Sequence, residues 1–144
     1  MVQLINRIKY IVVIFLSLTL LSACGEKEAE AAEKEVAIAF FDAVYNQKNI
    51  NKVIKLSSIK FQKEIKKYKT AKNLARRLLN LQFNSVEMTT AAQKTQIIDE
   101  HNTHVTMTVV FTGKRHDGTF KDFKKIRLVK ENNVWVVDKI INNS

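Results

Sequence analysis

Apolar residues recur at helical spacing in the first half of the chain and alternate with polar residues in the second half. One predicted helix carries an apolar face of four residues: Val36, Phe40, Phe41 and Val44. Three shorter helices are predicted after it, and a side chain able to cap a helix N-terminus precedes the first two of their apolar runs. These capping positions are Asn49 and Ser57 or Ser58, and the third apolar run at helical spacing starts at Thr70.

From Asn84 onward the pattern predicts antiparallel β-strands. The strongest is Thr103–Thr112, which is rich in β-branched residues and alternates apolar with polar positions. Turn signals containing Gly, Asn and Asp separate the last three strands. The other strands are predicted at Ser85–Thr89, Gln96–Asp99, Thr119–Lys130 and Val134–Ile141.

Two details of these strands carry further expectations. Phe123 is out of phase with Ile126 and Leu128, which predicts a β-bulge near Asp122–Lys124. Val134–Ile141 is apolar on both faces, which predicts a central place in the sheet. Helices followed by a strand meander indicate an α+β fold, with N-terminal helices packed on one face of a curved antiparallel sheet. The predicted core face combines Val105, Met107, Val109, Phe111 and Trp135.

The N-terminus has the three parts of a secretory signal. Arg7 and Lys9 precede the apolar run Ile11–Leu21, which is short for a membrane-spanning helix. The run ends in Leu21-Ser22-Ala23-Cys24, which resembles the lipobox of bacterial lipoproteins. The resemblance implies cleavage before Cys24 and acylation of both its thiol and its new amino group. An uncleaved anchor helix over Ile5–Ala23 is the alternative.

This N-terminal pattern sets the expected organisation of the chain. We predict a signal peptide at 1–23, a lipidated Cys24 with an acidic spacer at 24–35, and an α+β domain at 36–144. The domain is then exported and held at a bacterial membrane by its lipid, since two or three acyl chains anchor a protein stably. The sequence leaves open whether this is the outer membrane or the cell surface.

A short C-terminal pattern suggests a family for the domain. The segments Asp117-Gly118 and Leu128-Val129-Lys130, together with Trp135 and Asp138, resemble small lipoproteins of the nuclear-transport-factor-2-like superfamily. The resemblance implies a cone-shaped, cystatin-like α+β fold. Because this fold hosts isomerases, dehydratases, binding modules and assembly proteins, it does not by itself imply an activity.

Composition excludes several classes of site. A single Cys excludes a disulfide framework and a Cys-rich zinc site, and the two common glycine-rich nucleotide motifs are absent. The segment Asp99–His104 holds two acids and two histidines, a possible metal site, but its place between two strands favours a solvated turn. We therefore assign no metal, cofactor or catalytic residue.

Cone-fold enzymes place a tuned acid, histidine or tyrosine in an apolar cavity. The candidates here are Asp42, Tyr45, Arg127 and Asp138. None forms a pair at a spacing typical of catalysis. Tyr45 and Trp135 are instead expected to pack in the cone interior.

Positive charge is concentrated in the middle helices. The net charge is +10, and the segment Lys48–Arg77 has eleven basic residues against Glu64 alone. Lys60, Lys63 and Lys67 are expected opposite an apolar helix face, either as a solvated surface or as contacts to an anionic surface. Nucleic acid is not expected, because the protein is exported and aromatic residues are not interleaved with the lysines.

These observations favour a non-enzymatic binding or interaction module at the cell envelope. Its expected partners are the membrane through Cys24, an anionic lipid or envelope polymer, and a partner protein. Two alternatives stay open. One is a small cone-fold lyase or isomerase using a cavity carboxylate or Tyr45, and the other is a subunit of a secretion- or conjugation-type assembly.

Overall fold

The computed structural model describes residues 1, 3, 25–99, 102–116 and 118–141. The lipobox and Cys24 lie outside these residues, as do Glu100 and His101 of the predicted turn. The chain divides into two compact units, Met1–Ala31 and Ala32–Ser144. The second unit contains a hydrophobic core built from its own residues, as expected of a segment that folds by itself. Within the described part of the chain, no helix is long and apolar enough to cross a membrane.

The first half of the described chain is helical, as predicted. Its elements are α1 (Gly25–Tyr45), α2 (Ile50–Lys55), α3 (Ile59–Ile65), a 3₁₀ turn (Lys66–Tyr68) and α4 (Ala71–Arg77). The predicted caps at Asn49 and Ser58 are confirmed, since each side chain accepts a backbone N–H from the helix that follows. Thr70 caps α4 in the same way. Helix α1 is described from Gly25, and the described part of the predicted acidic spacer is helical. Ala32 already packs against the core.

The second half forms one four-stranded antiparallel sheet. Its strands are β1 (Ser85–Asp99), β2 (Asn102–Arg115), β3 (Gly118–Glu131) and β4 (Val134–Ile141), in the order β1-β2-β3-β4. The α+β class is therefore confirmed. The separate strand predicted at Gln96–Asp99 is wrong, because β1 runs unbroken from Ser85. A register shift after Thr90 explains why the alternation is lost there although pairing with β2 continues.

The bulge predicted near Asp122–Lys124 is also wrong. Pairing of β3 with β2 is continuous through this segment, and Phe123 is out of phase because its ring lies 51% exposed on the outer sheet face. The register shift of β3 lies instead against β4. Arg127 pairs with Lys139 and Leu128 pairs with Val137, so Asp138 is an extra residue in β4.

β4 lies at the edge of the sheet, so the prediction of a central place for Val134–Ile141 is wrong. Its edge is covered by the connection between α2 and α3 through a short parallel bridge. The Ser58 N–H donates to the Val137 carbonyl at 2.8 Å, and the Val137 N–H donates to the Leu56 carbonyl at 2.9 Å. This cover satisfies edge groups that would otherwise be open, and it buries both faces of an edge strand.

The core lies between the helices and the inner face of the sheet. The predicted strand face is confirmed: Val105, Met107, Val109 and Phe111 are fully buried, and Trp135 joins the same cluster. Helix α1 contributes Phe40 and Phe41 to it. The Phe41 ring meets Phe111 edge-on at 4.9 Å between centroids, which ties the helix to the middle of the sheet.

The buried Trp135 gives a test of this core. We expect Trp135→Ala to lower the free energy of unfolding by about 3–5 kcal/mol, because it removes a large buried side chain and leaves a cavity. Val134→Ala is the control, since Val134 on the same strand is 59% exposed. Urea unfolding should be followed by circular dichroism, because Trp135 is the chain's one tryptophan. Equal effects of the two substitutions would contradict this packing.

Candidate functional site

Three side chains that are distant in sequence meet at the extra residue of β4. Asp138 is only 8% exposed, and its Oδ2 accepts hydrogen bonds from Arg127 on β3, through Nε at 3.0 Å and through a terminal guanidinium nitrogen. Its Oδ1 accepts from the Ser58 hydroxyl at 2.9 Å. We call Ser58, Arg127 and Asp138 the Asp138 cluster. Sequence reasoning named Arg127 and Asp138 separately, and the structure brings them together.

Ser58 gives the cluster its link to the helices. Its fully buried hydroxyl donates to Asp138 and accepts from the Phe61 N–H at 3.1 Å, which caps α3. The Ser58 hydroxyl of the cluster has no described general base beside it. The adjacent carboxylate of Asp138 is paired with the Arg127 guanidinium, which stabilises its ionised form and weakens it as a base. Activation of a serine needs a base positioned to take its proton. The geometry is therefore that of a structural junction.

Several opposing effects set the protonation state of Asp138. Burial by itself raises the pKa of this carboxyl. Hydrogen bonds from Arg127 and Ser58 and the positive charges of Arg127 and Lys60 lower the pKa by more than burial raises it. The net pKa lies below the usual Asp value. Asp138 is consequently ionised at neutral pH and does not act as a general acid there.

A separate pocket of about 670 Å³ lies where α1, α4 and the β2–β3 hairpin come together. Its volume is within the range of small-molecule sites. Its aromatic lining is Tyr45, Phe83 and Phe120, and its basic lining is Lys48, Lys72 and Arg115. Among the described lining residues there is no carboxylate. The pocket thus combines an apolar floor with positive charge.

Local packing fixes the aromatic floor. The Tyr45 hydroxyl donates to the Leu81 carbonyl at 3.2 Å, and its ring meets Phe83 at 5.7 Å between centroids. Phe83 lies directly against Gly113 of β2, where an added Cβ would come within 2.5 Å of the ring. A glycine is therefore required for this ring to close the wall of the pocket. Tyr45 lies in the interior as predicted.

Tyr45 is poorly suited to proton transfer. Burial raises the pKa of its phenol well above the ordinary value, and the negative charge of Asp122 raises it further. The hydroxyl therefore stays protonated and hydrogen-bonded to the backbone. This residue shapes the pocket without supplying a base.

The remaining predicted residues belong to neither site, although the charge of Lys60 acts on Asp138. Lys60, Lys63 and Lys67 are exposed on α3 and the turn after it, while Phe61 and Ile65 are buried on its other face. The half-buried Asp42 accepts from Asn46 and Gln47. Within the described residues, no three His, Cys, Asp or Glu side chains are grouped to hold a metal.

Comparison with models of known protein families gave no match, and comparison with curated proteins gave none either. The function must therefore be argued from the residues of the two sites.

Sequence reasoning missed both groupings for identifiable reasons. Arg127 and Asp138 meet only because the extra residue shifts the register of β4, which no periodicity reveals. The pocket is assembled from five separate segments of the chain. The available signal was weak: Arg115 and Phe120 flank the predicted β2–β3 turn and would be near one another in a hairpin.

The low pKa of Asp138 leads to a prediction about acid stability. In the unfolded chain an Asp has a pKa of about 3.9. Because the folded pKa is lower, ionised Asp138 stabilises the fold above this value, and the contribution is lost as pH falls through the folded pKa. Asp138→Asn should therefore cost about 2 kcal/mol at pH 7, since it removes hydrogen bonds between charged groups. It should also flatten the loss of stability below about pH 4.

Urea unfolding at a series of pH values measures both effects. Asp42→Asn is the matched control, because Asp42 is half-buried and its described partners are neutral amides. Its effect at pH 7 should be much the smaller of the two. Wild-type acid sensitivity retained in Asp138→Asn would show that the cluster does not carry this stabilisation.

Proposed function

We propose that the protein is an exported lipoprotein whose α+β domain is a non-enzymatic binding module, held at a bacterial membrane by lipid on Cys24. The lipobox Leu21-Ser22-Ala23-Cys24 supports the anchor. The observation that carries the binding role is the pocket, which offers an aromatic floor and three basic side chains and has no carboxylate among its described lining residues.

We further propose that the domain has the cone-shaped fold of the nuclear-transport-factor-2-like superfamily. Helices precede the strands and pack on one face of an antiparallel sheet, as that fold requires. Extra residues in β1 and β4 support sheet curvature, because bulges bend a strand and increase its twist. The C-terminal pattern around Trp135 and Asp138 is the sequence support.

The described side chains give little support to the alternative of a lyase or isomerase. Such an enzyme needs an acid or base with a suitable pKa facing its substrate. Asp138 is paired with Arg127, and Tyr45 donates to a backbone carbonyl. Neither is available for proton transfer at neutral pH.

The exposed lysines support an orienting role at the membrane surface. Lys60, Lys63 and Lys67 follow one another along α3 and the succeeding turn and are all exposed. A lipid anchor holds the domain at high local concentration near the membrane, so weak contacts act without a separate cost of association. Each lysine near an anionic bilayer contributes about 1 kcal/mol, which is enough for three to orient a tethered domain.

The anchor is tested by the mass of the protein extracted from membranes. We expect a chain that begins at Cys24 and carries added acyl groups. Cys24→Ser should release the protein or leave it as the precursor, because no thiol is present for acylation. Cys24 is the only Cys, so no other residue can substitute. A membrane protein that retains Met1–Ala23 and a free thiol would refute the lipoprotein proposal.

The orienting lysines are tested with the segment Gly25–Ser144 and vesicles of graded anionic lipid content. Binding should rise with anionic lipid and fall with salt, since the Debye length is only about 8 Å at 0.15 M ionic strength. Replacing Lys60, Lys63 and Lys67 by Gln should weaken it.

The control replaces Lys94, Lys121 and Lys139 by Gln, which removes the same charge from exposed sheet positions. Thermal unfolding should show that both triple variants remain folded. Equal binding of the two variants would mean that only net charge matters and that α3 has no orienting role.

A further inference from the structure

We infer that the pocket is a binding site for a small amphipathic anion, with a flat apolar body and a carboxylate, sulfonate or phosphate group. The inference deepens the proposed binding role and is independent of the lipid anchor. It depends on the joint placement of Phe120, Arg115 and two lysines at one cavity.

The apolar part of the ligand is indicated by the pocket floor. Phe120 is 43% exposed although it lies in phase with core residues of β3, so its ring is available to a ligand. Tyr45 and Phe83 lie edge-to-face beneath the same cavity. A flat hydrocarbon or aromatic body would cover Phe120 and the exposed part of Phe83 and remove their apolar surface from water, while the buried Tyr45 supports Phe83 from below.

The anionic part is indicated by basic side chains that have no carboxylate beside them among the described lining residues. Lys48, Lys72 and Arg115 line the cavity, and no carboxylate within the described ranges forms an ion pair with them. Arg127 shows the contrast, because its guanidinium is paired with Asp138. Asp122 is not a lining residue, but its charge acts on Tyr45, and this single negative charge leaves a surplus of two against the three basic side chains.

Arg115 connects the two parts of the site. Its guanidinium carbon lies 4.7 Å from the centroid of the Phe120 ring, a cation–π contact. This contact holds the side chain beside the apolar floor while its N–H donors can still bind an oxyanion, for which the planar guanidinium is well suited. A ligand that covers Phe120 therefore brings its anionic group to Arg115.

The test uses two probes that share one ring system and differ in charge. Anilinonaphthalene sulfonate carries a negative charge, and N-phenylnaphthylamine is its neutral counterpart. Both are titrated calorimetrically into Gly25–Ser144 without any membrane, after cooperative unfolding has verified its fold. We expect the sulfonate to bind at one site and more tightly than the amine, with an affinity that falls as salt is raised.

Two sets of variants locate the site. The combined variant Lys48→Asn, Lys72→Gln, Arg115→Gln should weaken sulfonate binding about tenfold or more, as expected for three partly exposed ion pairs. Asparagine is chosen at Lys48 because this residue has a positive φ of 52°, which Asn tolerates. The Lys60/Lys63/Lys67→Gln variant is the control. It loses the same three positive charges as the combined variant, and none of its lysines lines the pocket.

Phe120→Ala should weaken both probes, whereas Phe123→Ala should weaken neither. Phe123 is an exposed phenylalanine on the same strand but outside the pocket. Inorganic phosphate should compete only weakly, because it lacks the apolar body.

Equal affinity for the two probes, or equal effects of the two charge variants, would overturn the inference. Phosphate binding as tight as the sulfonate would also overturn it. All these readouts are independent of Cys24 and of vesicle binding, so the inference and the proposed membrane role can fail separately.

Discussion

The rest of this fold depends on one constraint at the edge strand β4. The open backbone edge of this strand must be covered, because several of its side chains are buried. β4 ends the sheet, yet four consecutive residues from Trp135 to Asp138 are buried. The connection between α2 and α3 makes this possible by bonding to both backbone groups of Val137. Without that cover, the edge would present open donors and acceptors next to apolar side chains, a common route to aggregation.

The Asp138 cluster follows from this arrangement. An extra residue in β4 brings a carboxylate to the covered edge, where burial without partners would be costly. Arg127 and Ser58 supply those partners, and Ser58 also caps α3. One ionised side chain therefore fixes the sheet register and the start of a helix at once. The same pairing that stabilises the fold removes Asp138 from acid–base chemistry.

Local patterns in the sequence predicted most of the fold, because they report on single elements. The caps at Asn49 and Ser58 and the core face of β2 depend on short-range spacing, and all are confirmed. The errors concern relations between strands. Apolar residues on both faces of β4 suggested a central strand, since no periodicity distinguishes burial by a neighbouring strand from burial by a loop. The out-of-phase Phe123 reflects outer-face exposure rather than a bulge.

The positive charges of the domain differ in a way that bears on function. Arg127 is neutralised by Asp138, and its removal from solvent is compensated within the fold. Lys48, Lys72 and Arg115 lie beside the exposed Phe120 in a pocket whose described lining has no carboxylate, although like charges in proximity repel one another. Folding alone gives no reason for that grouping, because the hydrophobic core and the Asp138 cluster are complete without it. The anionic ligand that we propose would supply a counter-charge for these side chains, so the proposed binding chemistry is assigned to the pocket rather than to the buried carboxylate of Asp138.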